Sequence, residues 1–237
     1  MVMDTSQYSS LPEAKSLLNH LHKINPKYGI EIIFPKKKWL GEDLTQNDES
    51  MAIINNHHEV FKDSSGNDFG LKFIIGASTS ADLWVHILDE DKNIIGFSTN
   101  EYHHVSSGSV NYFRVTLLKK IIQRSGLYAF LQELRFNIFP SDFIISRTQH
   151  PVVYSTFKKL CNNHDMSISP TVGNVFSRSF KIAKEMGLDI NDQSVIIGAI
   201  RGEVLVETPS PPEDLIPLWN QIDLKNGDVL VMIGYKK

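Results

Sequence analysis

The sequence predicts a mixed α+β domain whose central sheet is mostly antiparallel and flanked by helices. Three observations carry this. Two apolar runs, 83–88 and 94–98, flank the polar turn Asp89-Glu90-Asp91-Lys92-Asn93, the pattern of an antiparallel hairpin. Leu127, Phe130, Leu131 and Leu134 recur at i, i+3, i+4 and i+7, the apolar stripe of a helix. Short apolar runs then alternate with helical patterns toward the C-terminus, which implies at least one parallel crossover.

The elements follow in chain order. Residues 1–10 are polar and are expected to fray. Ser10, followed by Leu11, Pro12 and then Glu13, marks a helix start, and Leu17, Leu18 and Leu21 continue it until Pro26. Residues 28–34 alternate as a strand stopped by Pro35. A second helix covers 47–61, and Asp63-Ser-Ser-Gly-Asn-Asp68 has loop composition. The apolar run 71–75 opens the β pattern that the hairpin continues. After Ser106-Ser107-Gly108-Ser109 a strand occupies 110–118, and the helical stripe then runs up to Pro140. Residues 142–146 make a short buried strand, and Val153, Phe157 and Leu160 mark the next helix. A helix over 175–186 ends at Gly187, a C-cap residue. Strands at 194–200 and 228–233 close the chain, joined through the rigid Pro209-Ser-Pro-Pro212 connector.

Composition removes several classes of function. A net charge of -3 lacks the basic surplus that general nucleic-acid binding needs. The run Lys36-Lys37-Lys38 reads as a solvated strand end or turn, with an anion-attracting patch as the alternative. Cys161 is the only cysteine, so neither an internal disulfide nor a thiolate zinc site is available, and a reducing cytoplasm is expected. No run approaches the roughly 20 apolar residues that cross a bilayer, so the protein is expected to be soluble, without a membrane partner. His57-His58-Glu59 lacks HExxH spacing and reads as a solvated helix face rather than a metal site. Trp39, Trp84 and Trp219 read as core or rim packing, and Cys161 as packed rather than nucleophilic.

One junction carries chemistry. The strand ending at Leu117 and Leu118 leads through Lys119 and Lys120 into Gln123-Arg124-Ser125-Gly126-Leu127-Tyr128, which opens the amphipathic helix. A helix N-terminus leaves its first backbone N–H groups unpaired and positively polarised, a setting that favours pyrophosphate. Glycine admits the ligand close to the backbone, and Arg124 can add a charge-assisted contact.

At this junction the chain resembles the GNAT acyltransferase superfamily. Its CoA-binding motif is Gln or Arg, two residues, Gly, one residue, then Gly or Ala, between the fourth strand and the third helix. Gln123 and Gly126 match, whereas Tyr128 stands where the family has a small residue. After the fifth strand the family has Asn, two residues, Ala, three residues, Tyr. His150, Val153 and Phe157 keep that spacing with other identities, within an Arg147-Thr-Gln-His-Pro run similar to that of GNAT-like proteins. The resemblance covers roughly residues 70–160, the last strands loosely, and residues 1–65 hardly. It implies one GNAT-like domain over 1–237 with an N-terminal helical and strand extension of about 1–65.

It also implies an N-acyltransferase that passes an acetyl or similar group directly from acyl-CoA to an amine, without metal. The alternative is a catalytically silent acyl-CoA-binding module. The cofactor contacts implied are Leu117, Leu118, Gln123, Arg124, Ser125, Gly126, Leu127, Tyr128 and His150, with a backbone N–H near Leu117 or Leu118 polarising the thioester carbonyl. An alkylamine is protonated at neutral pH and must lose a proton before attack. The strand 110–118 lacks the family's carboxylate, which leaves Glu101 and His103, on one face of the neighbouring strand, as base candidates. Phe157 replaces the tyrosine that protonates the leaving thiolate, and Tyr154 is the acid candidate on the same helix.

Overall fold

The computed structural model describes residues 6–66, 68, 70–200 and 209–236. The architecture is mixed α+β, with antiparallel strand pairing predominant. It resolves into two compact units: Met1–Tyr102 with Phe113–Phe139, and His103–Tyr112 with Pro140–Lys237.

In the first unit, α1 (Ser6–Ser9) precedes α2 (Pro12–Ile24), β1 (Gly29–Ile33), α3 (Pro35–Lys38), α4 (Asp48–Ser65) and α5 (Leu71–Thr79). β2 (Leu83–Leu88) forms the expected hairpin with the start of β3 (Ile94–Val105), and β1 adds antiparallel to β2; of β3 and of β4 (Gly108–Leu118), the next strand after a two-residue turn, this unit holds 94–102 and 113–118. α6 (Leu127–Ile138) completes the unit. Every residue of β2 but the last is buried, because the unit has helices on both sheet faces. Leu83, Val85 and Ile87 point into a core with Leu17 and Leu21 of α2 and Leu127, Leu131 and Leu134 of α6. Trp84 and His86, on the alternate face, meet His57 of α4.

The second unit pairs β5 (Phe143–Thr148) and β6 (Met166–Ser169) with opposite edges of β8 (Val229–Lys236), both antiparallel. β5 and β6 therefore run in one direction, and α7 (Pro151–Asn163) is the crossover between them, with β8 inserted. Phe143, Ile145, Val231 and Ile233 face Ile182 and Ala183 of α8 (Ser177–Glu185). On the other face Cys161 of α7 comes so close to Gly234 that a Cβ there would lie 2.7 Å from its sulfur. β7 (Val195–Ile196) pairs with β8, and α9 (Ile216–Trp219) precedes β8.

Local signals settled most boundaries. Asn47 accepts from the Ser50 amide and caps α4, whose first turn holds Asp48 and Glu49. Gly187 takes the left-handed conformation after α8, at φ 69°.

Other expectations are corrected. The run 71–75 is helical, not a strand: Ile74, Ala77 and Ser78 are buried at i, i+3 and i+4, and four apolar residues in a five-residue run fit either period. α4 continues to Ser65, stopped by left-handed Gly66, so the first three residues of the expected loop are helix. The lysine run is, as expected, solvated at the end of β1: it is one exposed helical turn started by Pro35, with Lys36 paired to Asp82 and Lys38 to Glu49 at the surface. Leu11, not Ser10, is the N-cap of α2, with Pro12 as its first residue. The strand at 194–200 shrinks to two residues, because Gly198, at φ 59°, turns the chain and bonds to Asp228. His57 is wholly buried rather than solvated, stacked on Phe97 at 4.0 Å.

Candidate functional site

The junction between β4 and α6 is built by the first unit alone. β4 ends where the Lys119 amide donates to the Ile95 carbonyl at 2.8 Å. One turn of 3-10 helix, Lys120–Ile122, follows, its first amide donating to Asp63 Oδ1. Leu117 and Leu118 are half-buried, and Leu118 packs on the α2–α6 core. Gln123 donates through Nε2 to the Leu118 carbonyl at 2.8 Å, so its amide braces the turn. Ser125 donates to the Ile122 carbonyl.

Arg124 and Gly126 both take positive φ, 59° and 81°. Two left-handed residues within three positions turn the chain sharply enough for α6 to start at Leu127. Gly126 is the N-cap and has no side chain to satisfy the first amides of the helix. Gln123, Arg124 and Gly126 are exposed, Tyr128 is half-buried, and Leu127 anchors the first turn in the core. His20 of α2 donates through Nε2 to the Ser125 carbonyl at 2.6 Å and stacks on Phe130, a contribution from the extension that no sequence signal suggested. A positively polarised helix end with a glycine at its mouth can receive an oxyanion against backbone N–H groups.

Glu101, also in the first unit, is buried and ion-paired with Arg114 Nη1 at 2.6 Å, and it accepts from the Ser80 hydroxyl. Arg114 comes from the adjoining strand β4. α6 also buries Gln132 and Arg135, the latter's guanidinium 4.2 Å from the Phe113 ring centre, with burial pulling its pKa down to about 10. Their i, i+3 spacing beside the leucine stripe was the available sequence signal.

In the second unit, His150 is the N-cap of α7 and accepts from the Val152 amide through Nδ1 at 3.1 Å. Desolvation lowers its pKa below the ordinary imidazole value. Tyr154 is buried and donates its hydroxyl to the Pro170 carbonyl at 2.8 Å, with burial pushing its pKa up to about 12. Phe157 is fully buried, and His103 is half-buried. Burial also raises the Cys161 thiol to about 12, which makes it an inert packing residue. Among the described residues, no group of three or more His, Cys, Asp or Glu side chains is placed to hold a metal ion, and no helix is long and apolar enough to cross a membrane.

No protein-family model and no curated protein matched the sequence. Solved structures of similar shape were found. A GNAT-family acetyltransferase of Bacillus cereus is 16% identical, over 63% of this chain and 89% of its own, with a TM-score of 0.39. The GNAT-family N-acetyltransferase YhbS of Escherichia coli, solved with CoA, is 14% identical over 58% and 72%, at 0.40. Diaminobutyrate acetyltransferase EctA of Paenibacillus lautus, solved with its substrate and coenzyme A, is 13% identical over 61% and 81%, at 0.39.

Proposed function

We propose that this protein is an acyl-CoA-dependent N-acyltransferase that binds the CoA pyrophosphate over residues 124–129. The β4–α6 junction carries the reading: a left-handed glycine as N-cap, helix amides without a side-chain cap, and Gln123 and Gly126 at the spacing of the GNAT motif. The amine nitrogen attacks the thioester carbon, the C–S bond breaks, and the amine proton passes to a base. Glu101, or His103 two residues along β3, takes that proton directly or through water. Positioning supplies most of the acceleration. The thiolate leaves without obligatory help, since a thiol with an unperturbed pKa near 8.5 is a tolerable leaving group.

A silent acyl-CoA-binding module is the second reading, favoured by Phe157 in place of the tyrosine and by the absence of a carboxylate from β4. Calorimetry with acetyl-CoA, together with release of free CoA thiol in the presence of a panel of primary amines, tests both. Binding with amine-dependent thiol release supports the enzyme, binding without release supports the module, and no binding removes both.

A further inference from the structure

The first unit buries a chain of hydrogen bonds that acyl transfer does not use. His57 of α4 and His86 of β2 are both fully buried, with their Nε2 atoms 2.9 Å apart. His57 Nδ1 lies 2.9 Å from the Ser78 hydroxyl of α5. His86 Nδ1 lies 2.8 Å from Glu31 Oε2 of β1, whose side chain is 49% exposed. The chain thus reaches from a carboxylate in contact with solvent to a hydroxyl in the core. Phe97 stacked on His57 at 4.0 Å and Trp84 against its edge at 5.2 Å hold that ring in place.

Proton counting fixes the direction of every link. A carboxylate only accepts, so His86 carries hydrogen on Nδ1. Neutral His86 then presents a bare Nε2, and His57 must donate from its own Nε2. His57 Nδ1 is left bare, and Ser78 donates to it. With one added proton, all links beyond Glu31 reverse. His86 holds hydrogen on both nitrogens, His57 accepts at Nε2 and donates from Nδ1, and Ser78 accepts. The Ser78 hydroxyl then needs another acceptor. Thr79 in the same helix already donates to the carbonyl four residues back, and the Ile74 carbonyl stands in that relation to Ser78.

We propose that Glu31, His86, His57 and Ser78 form a proton-driven switch: uptake of one proton charges His86 beside Glu31, reverses the His57 tautomer and turns the Ser78 hydroxyl. Desolvation holds His57 itself well below the ordinary imidazole range, which keeps the charge on the ring next to the carboxylate. The other charged groups around the chain are Lys38 of α3 near Glu31 and Glu49 of α4 paired with Lys38, while His58 faces Asp68. β3 and α5 present Phe97 and Ser78, neither of which titrates. The switch acts at the end of α5 that also receives Trp84 Nε1 at the Ser78 carbonyl and seats Glu101 through Ser80.

Long-range proton–nitrogen correlation spectra of the full chain, labelled with nitrogen-15 histidine, test this from pH 8 to pH 5. At pH 8 His57 carries hydrogen on Nε2 and His86 on Nδ1. On acidification His86 gains its second hydrogen, and the His57 hydrogen moves to Nδ1 with the same midpoint. In Glu31→Gln, where a carboxamide can donate as well as accept, His57 shows both tautomers at pH 8. Hydrogen on His57 Nδ1 at pH 8, a His57 tautomer that stays put while His86 charges, or loss of the fold before His86 takes its proton each overturns the proposal. A single unchanged His57 tautomer in folded Glu31→Gln shows that the carboxylate does not set the direction, and overturns it too.

Discussion

Gly126→Val separates the two roles of the residue that opens α6. The backbone there has φ 81° and ψ -3°, a left-handed conformation that costs an L-residue about 1–2 kcal/mol, and valine at the upper end. Space is not the obstacle within the protein, since a Cβ at Gly126 meets nothing nearer than the His20 ring at 3.7 Å. For a chain of this size, each kcal/mol moves Tm by roughly 2–4 °C, so the variant should melt about 2–8 °C lower. The second role concerns the ligand. Any side chain at the mouth of α6 stands where a phosphate must approach the amides, so CoA affinity should fall at least about tenfold, or roughly 1.4 kcal/mol. Gly126→Asn provides the control, because asparagine tolerates the left-handed region while still adding a side chain. Its Tm should stay near wild type while its CoA affinity falls like that of the valine variant. Thermal melts without ligand and calorimetric titration with CoA give the two readouts. Wild-type CoA affinity in the folded variants would refute the placement of pyrophosphate, and an unmoved Tm in Gly126→Val would refute the strain.

Alanine at Glu101 or at His103 should cost about 10²- to 10⁴-fold in turnover at whichever position holds the base, with CoA affinity nearly unchanged. Full activity in both single variants and in the double variant makes them a polar strand end. Tyr154→Phe leaves the buried Pro170 carbonyl without its donor and should cost about 1–3 kcal/mol in urea unfolding, with turnover reduced by roughly tenfold or less. A loss beyond about a thousandfold with CoA binding intact would make Tyr154 the acid. Phe157→Tyr places a hydroxyl at a fully buried position and should lower stability by about 1–3 kcal/mol by the same measurement. His57 and His150 both have lowered folded-state pKa values, so the unfolded chain binds more protons. Their contribution is therefore complete above the unfolded value near pH 6.5 and is lost as pH falls toward the folded values. Denaturation at pH 7 and pH 5 should show lower stability at pH 5, and equal or greater stability there would contradict the burial argument.

The sequence by itself determined the features whose cause is local. The 3.6-residue stripe of α6, the apolar runs of β2 and β3 around a polar turn, and Gly187 as a stop are each set by a few neighbouring residues. The Gln123 to Gly126 spacing was legible for the same reason. The run 71–75 was not, because a five-residue run with four apolar positions satisfies a strand and a helix equally, and the buried positions Ile74, Ala77 and Ser78 exist only once α5 has packed. Tertiary structure alone decided what each polar side chain meets. Glu101 finds Arg114 across thirteen residues of hairpin, and Gly126 has His20 beside it from a helix about a hundred residues earlier. Glu31, His57, Ser78 and His86 come from four different elements, so no window of sequence contains their chain. Hydrogen-bond direction and burial are properties of packed neighbours, and His57 changes from a solvated helix face to a core residue solely because β2 and β3 cover that side of α4.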